Sequence, residues 1–183
     1  TVGGGFSRYS VDLKWHIPHF EKMLYDNGQL VSLYSNAYKL TKNPLYKEVI
    51  EKTLNFVTSA LTNSDGGFYC AYDADSLDQN NHLEEGAFYV WTKTELQQII
   101  KEDYDLFCVV FNINDFGFWE NDHYVLIQNQ SLDAIDKTHK IELSVLEEKK
   151  KVWEKLLFTA REKRNKPRLD DKCLTSWNGI MLK

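Results

Sequence analysis

No Cys-x-x-Cys occurs in this sequence. Its three cysteines (Cys70, Cys108 and Cys173) are odd in number and far apart. That argues for reduced thiols in the cytoplasm and against a structural zinc or a dithiol site, and no cofactor or metal is called for. No apolar run approaches the roughly 18 residues of a membrane span, and no signal-peptide pattern opens the chain. Basic blocks are also missing. The net charge is −5, from 22 Lys and Arg against 27 Asp and Glu, so neither nucleic acid nor a membrane is an expected partner.

What is there suits one helical domain. The 183 residues are enough for a real core over 1–183, with 43% hydrophobic and 14% aromatic residues. Tyr and Trp in loops suit stacking on flat apolar faces such as sugar rings, and serve equally well as core.

The densest stretch is Gly3 to Leu30. Gly3-Gly4-Gly5 permits positive φ and close approach, as in a loop over a helix mouth or a ligand. Phe6, Arg8, Tyr9 and Trp15 follow. Pro18 suits the first turn of a helix running from His19 to about Leu40. Two adjacent apolar stripes, Phe20-Leu24-Val31-Tyr34-Tyr38 and Met23-Leu30-Leu33-Ala37-Leu40, predict that this helix is mostly buried. His16, His19, Met23 and Asp26 fall at helical spacing near its start. A histidine beside an apolar face is ordinarily a core or capping residue, and Arg8 with Asp12, Glu21 or Asp26 makes an ordinary ion pair. Concentrating these groups at one helix end is nevertheless what a pocket with convergent polar groups requires.

Asn43-Pro44 predicts the cap and first turn of a second, amphipathic outer helix, completing a helical hairpin. Residues 67–72 and 86–91 read as two strands of a hairpin across an acidic insertion. Asp73 and Asp75 within it have three readings: hard oxygens for calcium, a catalytic or sugar-binding carboxylate, or a solvated turn. Thr92-x-x-Glu95 and Ser144-x-x-Glu147 read as capping boxes, with helices from Lys93 to Lys101 and from Val145 to about Lys163. Tyr124–Ile127 reads as a strand, residues 128–143 as polar linker, and the Lys/Arg surface of the last long helix as a solvated face. Arg168, Asp170, Asp171, Trp177 and Asn178 then lead into another helix start. Helical hairpins that each deliver such a loop to one rim build the central site of an α/α toroid.

The motifs GGGFSRYS (3–10), WHIPHFEKMLYDN (15–27), GGFYCAYDADS (66–76), EEGAFYVWT (84–92), GFWE (117–120) and RLDDKCLTSWNG (168–179) together resemble the spermatogenesis-associated protein 20 family. Bacterial members of that family pair a thioredoxin-like domain with a six-hairpin α/α toroid. The resemblance implies an all-α dominated fold, a partial (α/α)6 toroid with short β-hairpins in its loops. It also implies that the chain is a middle piece, lacking the thioredoxin-like domain and the C-terminal hairpins. Both ends read as cut. Fold-level similarity to sugar epimerases and six-hairpin glycosidases suggests carbohydrate metabolism, but fold does not fix function.

Carried onto these residues, the expected catalytic groups are His19, Glu21, Asp73, Asp75 and Asp171. The expected substrate-binding groups are Arg8, Tyr9, Tyr25, Asp26, Trp91, Asp170, Trp177 and Asn178. Ser7 stands where the family usually has His. The expected partner is a small molecule, a sugar first. The alternative is a non-catalytic module binding a ligand or peptide beside a redox domain. A toroid lacking hairpins exposes apolar faces, so self-association is expected.

Overall fold

The structure, a computed structural model, describes residues 2–183. In chain order the elements are β1 (Lys22–Met23), α1 (Leu24–Thr41), α2 (Pro44–Ala60), β2 (Ala71–Tyr72), β3 (Asp75–Leu77), β4 (Leu83–Glu85), β5 (Trp91–Thr92), α3 (Lys93–Ile100), α4 (Tyr104–Phe111), β6 (His123–Tyr124), α5 (Leu132–His139), α6 (Leu143–Arg161), β7 (Leu169–Asp170) and α7 (Thr175–Met181). Helices dominate, and each strand is two or three residues long.

The first helix begins later than predicted. Pro18 does not open it. Instead Arg8 to Glu21 doubles back on itself as an antiparallel finger, with His19 N–H donating to the Tyr9 carbonyl (2.8 Å), Val11 N–H to Ile17 (2.9 Å) and Arg8 N–H to Glu21 (3.1 Å). Lys22–Met23 then pairs with Ala71–Tyr72, and Leu24 N–H donates to the Cys70 carbonyl, so α1 starts only at Leu24. Competing backbone partners override the Pro signal.

Nor is α1 mostly buried. Leu24, Asn27 and Gly28 are buried, while Leu33 is 61% and Leu40 87% exposed. Its packing partners are α2 and α7, which leave its far side open. Asn43 does cap α2, accepting from Leu45 N–H at 3.0 Å, with Pro44 in the first turn.

Three cores follow. Leu24, Phe56, Val57 and Leu61 hold α1 and α2 together, with Trp177 and Met181 of α7 against them. Ile17, Phe20, Ala74 and Phe88–Val90 form a second, under the finger. The third surrounds Trp153 and joins α3, α4, α5 and α6. Lys52 of α2 meets Glu154 of α6 at 2.8 Å and bridges the first of these to the third.

The sheet order β1-β2-β7 is antiparallel throughout. The predicted pairing of 67–72 with 86–91 is therefore replaced. Ala71–Tyr72 pairs with β1 and β7, and the acidic insertion forms its own β3–β4 hairpin. The Thr92–Glu95 capping box is present in both directions. The Ser144–Glu147 box is not, because α6 starts earlier, at Leu143, without a side-chain cap. The segment read as linker contains α5, capped by Ser131.

The α6 basic face is only partly solvated. Arg161 is buried, and the Arg164 guanidinium lies 3.9 Å from the Trp91 ring centroid while donating to the carbonyls of Ala87, Phe88 and Val90 and to Glu95. Arg164, just beyond α6, thus serves as a clamp on the turn before β5.

Candidate functional site

The finger decides where the polar groups of the opening stretch go. Its tip is fixed by one carboxylate: Asp12 accepts from the N–H groups of Lys14 (2.7 Å), His16 (3.1 Å) and Ile17 (2.8 Å). Burial works against the charge, but these three bonds hold the Asp12 carboxyl below its ordinary range. Trp15 sits in the left-handed region (φ 55) at this tip and is exposed. It is not on the helix start with His19.

The base of the finger carries the site. Tyr9 and His19, facing each other across it, stack with centroids 4.8 Å apart. Arg8 reaches from Nη1 to Glu21 Oε2 (3.2 Å) and lies 4.0 Å from Asp26 Oδ2 through Nε. Its guanidinium is 5.8 Å from the Tyr9 ring and 6.0 Å from that of Tyr25. Tyr25 meets Trp177 of α7 edge to face at 4.7 Å. Arg8, Tyr9, His19, Glu21, Tyr25, Asp26 and Trp177 are therefore one connected surface, built from the finger, the first turn of α1 and the start of α7.

Two atoms of this surface have no hydrogen-bond partner among the described residues: His19 Nδ1, which is 4.0 Å from Glu21 Oε2, and Asp26 Oδ2. Burial pushes the Asp26 carboxyl above its ordinary range. Arg8 pulls it down and Glu21 pushes it up again. The Arg8 guanidinium is raised in turn, chiefly by its bond to Glu21. The arrangement thus holds a carboxyl that burial raises above its ordinary range, an imidazole nitrogen without a hydrogen bond, a cation and two aromatic pairs.

The glycines approach protein, not a ligand. A Cβ on Gly4 would overlap the Lys52 carbonyl of α2, and one on Gly5 the ring of Phe56. Asn27 is the residue that fixes this loop. It is fully buried, accepts from Phe6 N–H at 2.7 Å and donates to the carbonyls of Met23 (2.7 Å) and Phe6 (3.3 Å), which sets the path of the chain into Ser7 and Arg8. Ser7 Oγ is buried with no hydrogen-bond partner among the described residues. Lys22, between Glu21 and Met23, points to the other side of β1. Its Nζ donates to the Gly4 carbonyl at 2.7 Å over the rings of Phe56 and Tyr89, and burial, then Arg161, pushes its pKa well below the usual lysine range. An amphipathic reading of residues 19–40 as helix could not separate Lys22 from its neighbours. The short strand does.

The remaining candidates are placed less centrally. Continuing the β1–β2–β7 register sets Asp73 beside Glu21 and Arg168, and Asp73 N–H donates to the Arg168 carbonyl (2.9 Å). The Asp73 carboxylate accepts from Ala74 N–H at 2.7 Å and is exposed. Asp75 lies in β3 opposite Glu85. Among the described residues no group of three or more His, Cys, Asp or Glu side chains is arranged to hold a metal ion, so calcium gains no support there. Asp170 pairs with Lys172 at 2.8 Å, which holds its carboxyl below the ordinary range, and Asp171 is exposed beside it. Asn178 bonds both polar groups of the Phe68 backbone, a tie between α7 and the loop before β2. Trp91 is not at this surface. It is 2% exposed beneath Arg164, where close packing leaves no face for a ligand ring. An open trench of about 780 Å³ lies on that other side, between the β3–β4 hairpin, α3 and the end of α6. Its Arg164 is already engaged by three carbonyls and Glu95.

No protein-family profile matches the chain. Over 201 residues and 99% of its length it is 35% identical to spermatogenesis-associated protein 20 of Mus musculus and 36% to that of Homo sapiens. It is also 38% identical over 203 residues to an uncharacterized protein of Caenorhabditis elegans. This chain belongs to the spermatogenesis-associated protein 20 family. It spans about a quarter of the length of these relatives, with 25%, 26% and 27% of each covered. Of the motifs Arg8-Tyr9, His19-Phe20-Glu21-Lys22 and Tyr25-Asp26-Asn27, Phe20, Lys22 and Asn27 are buried and the others are half-buried or exposed. No helix of the described residues is long and apolar enough to cross a membrane.

Proposed function

We propose that the Arg8–Tyr9–His19–Glu21–Tyr25–Asp26–Trp177 surface binds a sugar, as part of the rim of an α/α toroid, in a reducing, cytoplasmic setting. The observation that carries this reading is the pair of buried atoms without a hydrogen bond, His19 Nδ1 and Asp26 Oδ2, between two aromatic pairs. A ring with hydroxyls supplies donors and acceptors to such atoms and an apolar face to Tyr9 and Trp177. Asp26, whose carboxyl burial raises above its ordinary range, is the group placed to give up a proton. His19 is suited to taking one at a carbon next to a carbonyl, the epimerase-like assignment. Glu21 and Asp26, both on Arg8, give the glycosidase-like assignment its two carboxyls.

The second reading is a binding module without turnover. It is favoured by Arg8, which both carboxylates already engage.

A thermal-shift screen of monosaccharides and sugar phosphates tests binding, repeated with His19→Ala and Asp26→Asn. A hit lost in both variants places the ligand here. Incubating that sugar in D₂O then separates the readings: deuterium entering at the carbon beside the carbonyl, lost in His19→Ala, means epimerisation. Binding with neither exchange nor hydrolysis means a module. If no sugar binds at millimolar concentration, the sugar reading fails.

A further inference from the structure

A small cavity of about 70 Å³ lies on the side of β1 to which Lys22 points, away from the Arg8–Asp26 surface. Lys22, Phe56 of α2, Tyr89 before β5, and Arg161, Glu162 and Lys166 around the end of α6 meet there. The Tyr89 ring centroid is 4.9 Å from Lys22 Nζ and 5.8 Å from the Arg161 guanidinium carbon, which is also 4.7 Å from the Phe88 ring and 5.2 Å from that of Phe158. Two lining residues carry a donor without an acceptor among the described residues, Tyr89 at Oη and Arg161 at Nε. Tyr89 is 9% and Arg161 6% exposed, so bulk water does not serve these donors either. Burial pushes the Tyr89 hydroxyl well up, so it keeps its proton to donate. Glu162 is the one carboxylate among the described lining residues, and both its oxygens are engaged, Oε1 by Arg161 Nη2 (3.2 Å) and Oε2 by Lys166 Nζ (2.9 Å). Three cations thus line the cavity with a single carboxylate.

We propose that this cavity binds a phosphate-type oxoanion, either free or as the phosphate group of a larger molecule. Its oxygens accept from Arg161 Nε and Tyr89 Oη, and its charge offsets that of the lining cations. At roughly 10–15 Å³ for each water-sized group, the volume takes about five heavy atoms, those of a phosphate, and is too small for a sugar ring. The remainder of a larger ligand extends past Lys166, whose side chain is half-exposed. Burial, and then Arg161, disfavour the charged form of Lys22, and an anion beside them favours it. The bound anion joins β1, the turn before β5 and the end of α6 at one point. The inference does not rest on the sugar surface, which lies on the other side of β1.

Isothermal titration calorimetry of the full chain with inorganic phosphate, at an ionic strength held constant with sodium chloride, tests it. Saturable binding of one phosphate per chain is expected. Tyr89→Phe keeps the ring and removes only a hydroxyl without a hydrogen bond, so the variant keeps its fold and binds phosphate about tenfold or more weakly. Arg161→Lys, which keeps the charge and loses the Nε donor, also weakens binding. His19→Ala, at the other surface, leaves it unchanged. Glucose 6-phosphate titrated in competition separates the two sources: displacement of phosphate means that the site takes the phosphate group of a larger molecule, and no displacement means that it takes the free anion. No binding at millimolar phosphate, binding unaltered in Tyr89→Phe, or binding lost in His19→Ala would each overturn the proposal.

Discussion

At the residue scale the site depends on Arg8, which couples two carboxylates of opposite tendency. Because Arg8 is one of the influences pulling Asp26 down, Arg8→Gln raises the Asp26 carboxyl further. A carbon-detected NMR titration of the Asp side chains in wild type and variant reads this directly, and a downward move would show that Arg8 does not act on Asp26. The same group makes a stability prediction with a definite sign. Asp26 titrates higher in the folded state than its ordinary value of 3.8, so the native protein binds more protons than the unfolded chain between those two values. Its contribution is therefore fully present at low pH and is lost as pH rises through the folded-state value. Asp26→Asn, which keeps the shape and removes the charge, flattens that segment of the pH–stability curve. Urea unfolding at a series of pH values checks it, and a steeper fall in the variant would mean that Asp26 is stabilised as an anion. The sequence named Arg8, Glu21, His19 and Asp26 as candidates by their concentration at one helix start and by the family resemblance. It had no means of saying that the Asp26 carboxyl is raised, because that follows from burial, which the pattern of the stretch does not contain.

At the element scale the finger and the capping box show what was legible and what was not. Thr92-x-x-Glu95 is a local device with both partners inside one helical turn, so sequence spacing suffices to find it. Thr92→Ala removes the bond to Glu95 N–H and costs about 1 kcal/mol, or about 2–4 °C of melting temperature for a chain this size. Differential scanning calorimetry reads it. The finger is different. Pro18 and the two apolar stripes argue for helix from His19, and they lose to pairings with residues far along the chain: β1 pairs with Tyr72, and Leu24 N–H with Cys70. Nothing within the stretch itself announces those partners. Asp12, whose three backbone bonds close the finger tip, was legible only as one member of an ion pair with Arg8. Asp12→Ala frees the N–H groups of Lys14, His16 and Ile17. In hydrogen exchange these amides are expected to lose protection while those of α2 keep theirs. Unchanged protection at Lys14, His16 and Ile17 would show that the tip is held by other contacts.

At the scale of the whole molecule the distribution of apolar surface is the main departure from a closed helical domain. The α1 stripes were sound as periodicity but not as burial: Leu33 and Leu40 remain in solvent, Leu45 and Leu54 of α2 are exposed at 56% and 40%, and Val152, Leu156 and Phe158 of α6 are exposed as well. Periodicity reports which residues share a face, and only the neighbours present decide whether that face is covered. What joins the helical parts across the middle is ionic. Lys52 of α2 holds Glu48 at 2.7 Å and Glu154 of α6 at 2.8 Å, with Lys150 nearby. Such half-buried networks are modest and salt-sensitive, so Glu154→Gln costs about 1 kcal/mol or less at low ionic strength and nearly nothing in molar salt. An apolar face left open by weakly tied parts favours a second copy over water. The chain is therefore expected to self-associate in a concentration-dependent way through α1, and Leu33→Ser with Leu40→Ser to shift it toward monomer without lowering its melting temperature, since neither side chain is buried. Multi-angle light scattering across a dilution series decides the matter. A monodisperse monomer at the highest concentration would show that these exposed leucines are too few, or too well separated by polar neighbours, to hold two copies together.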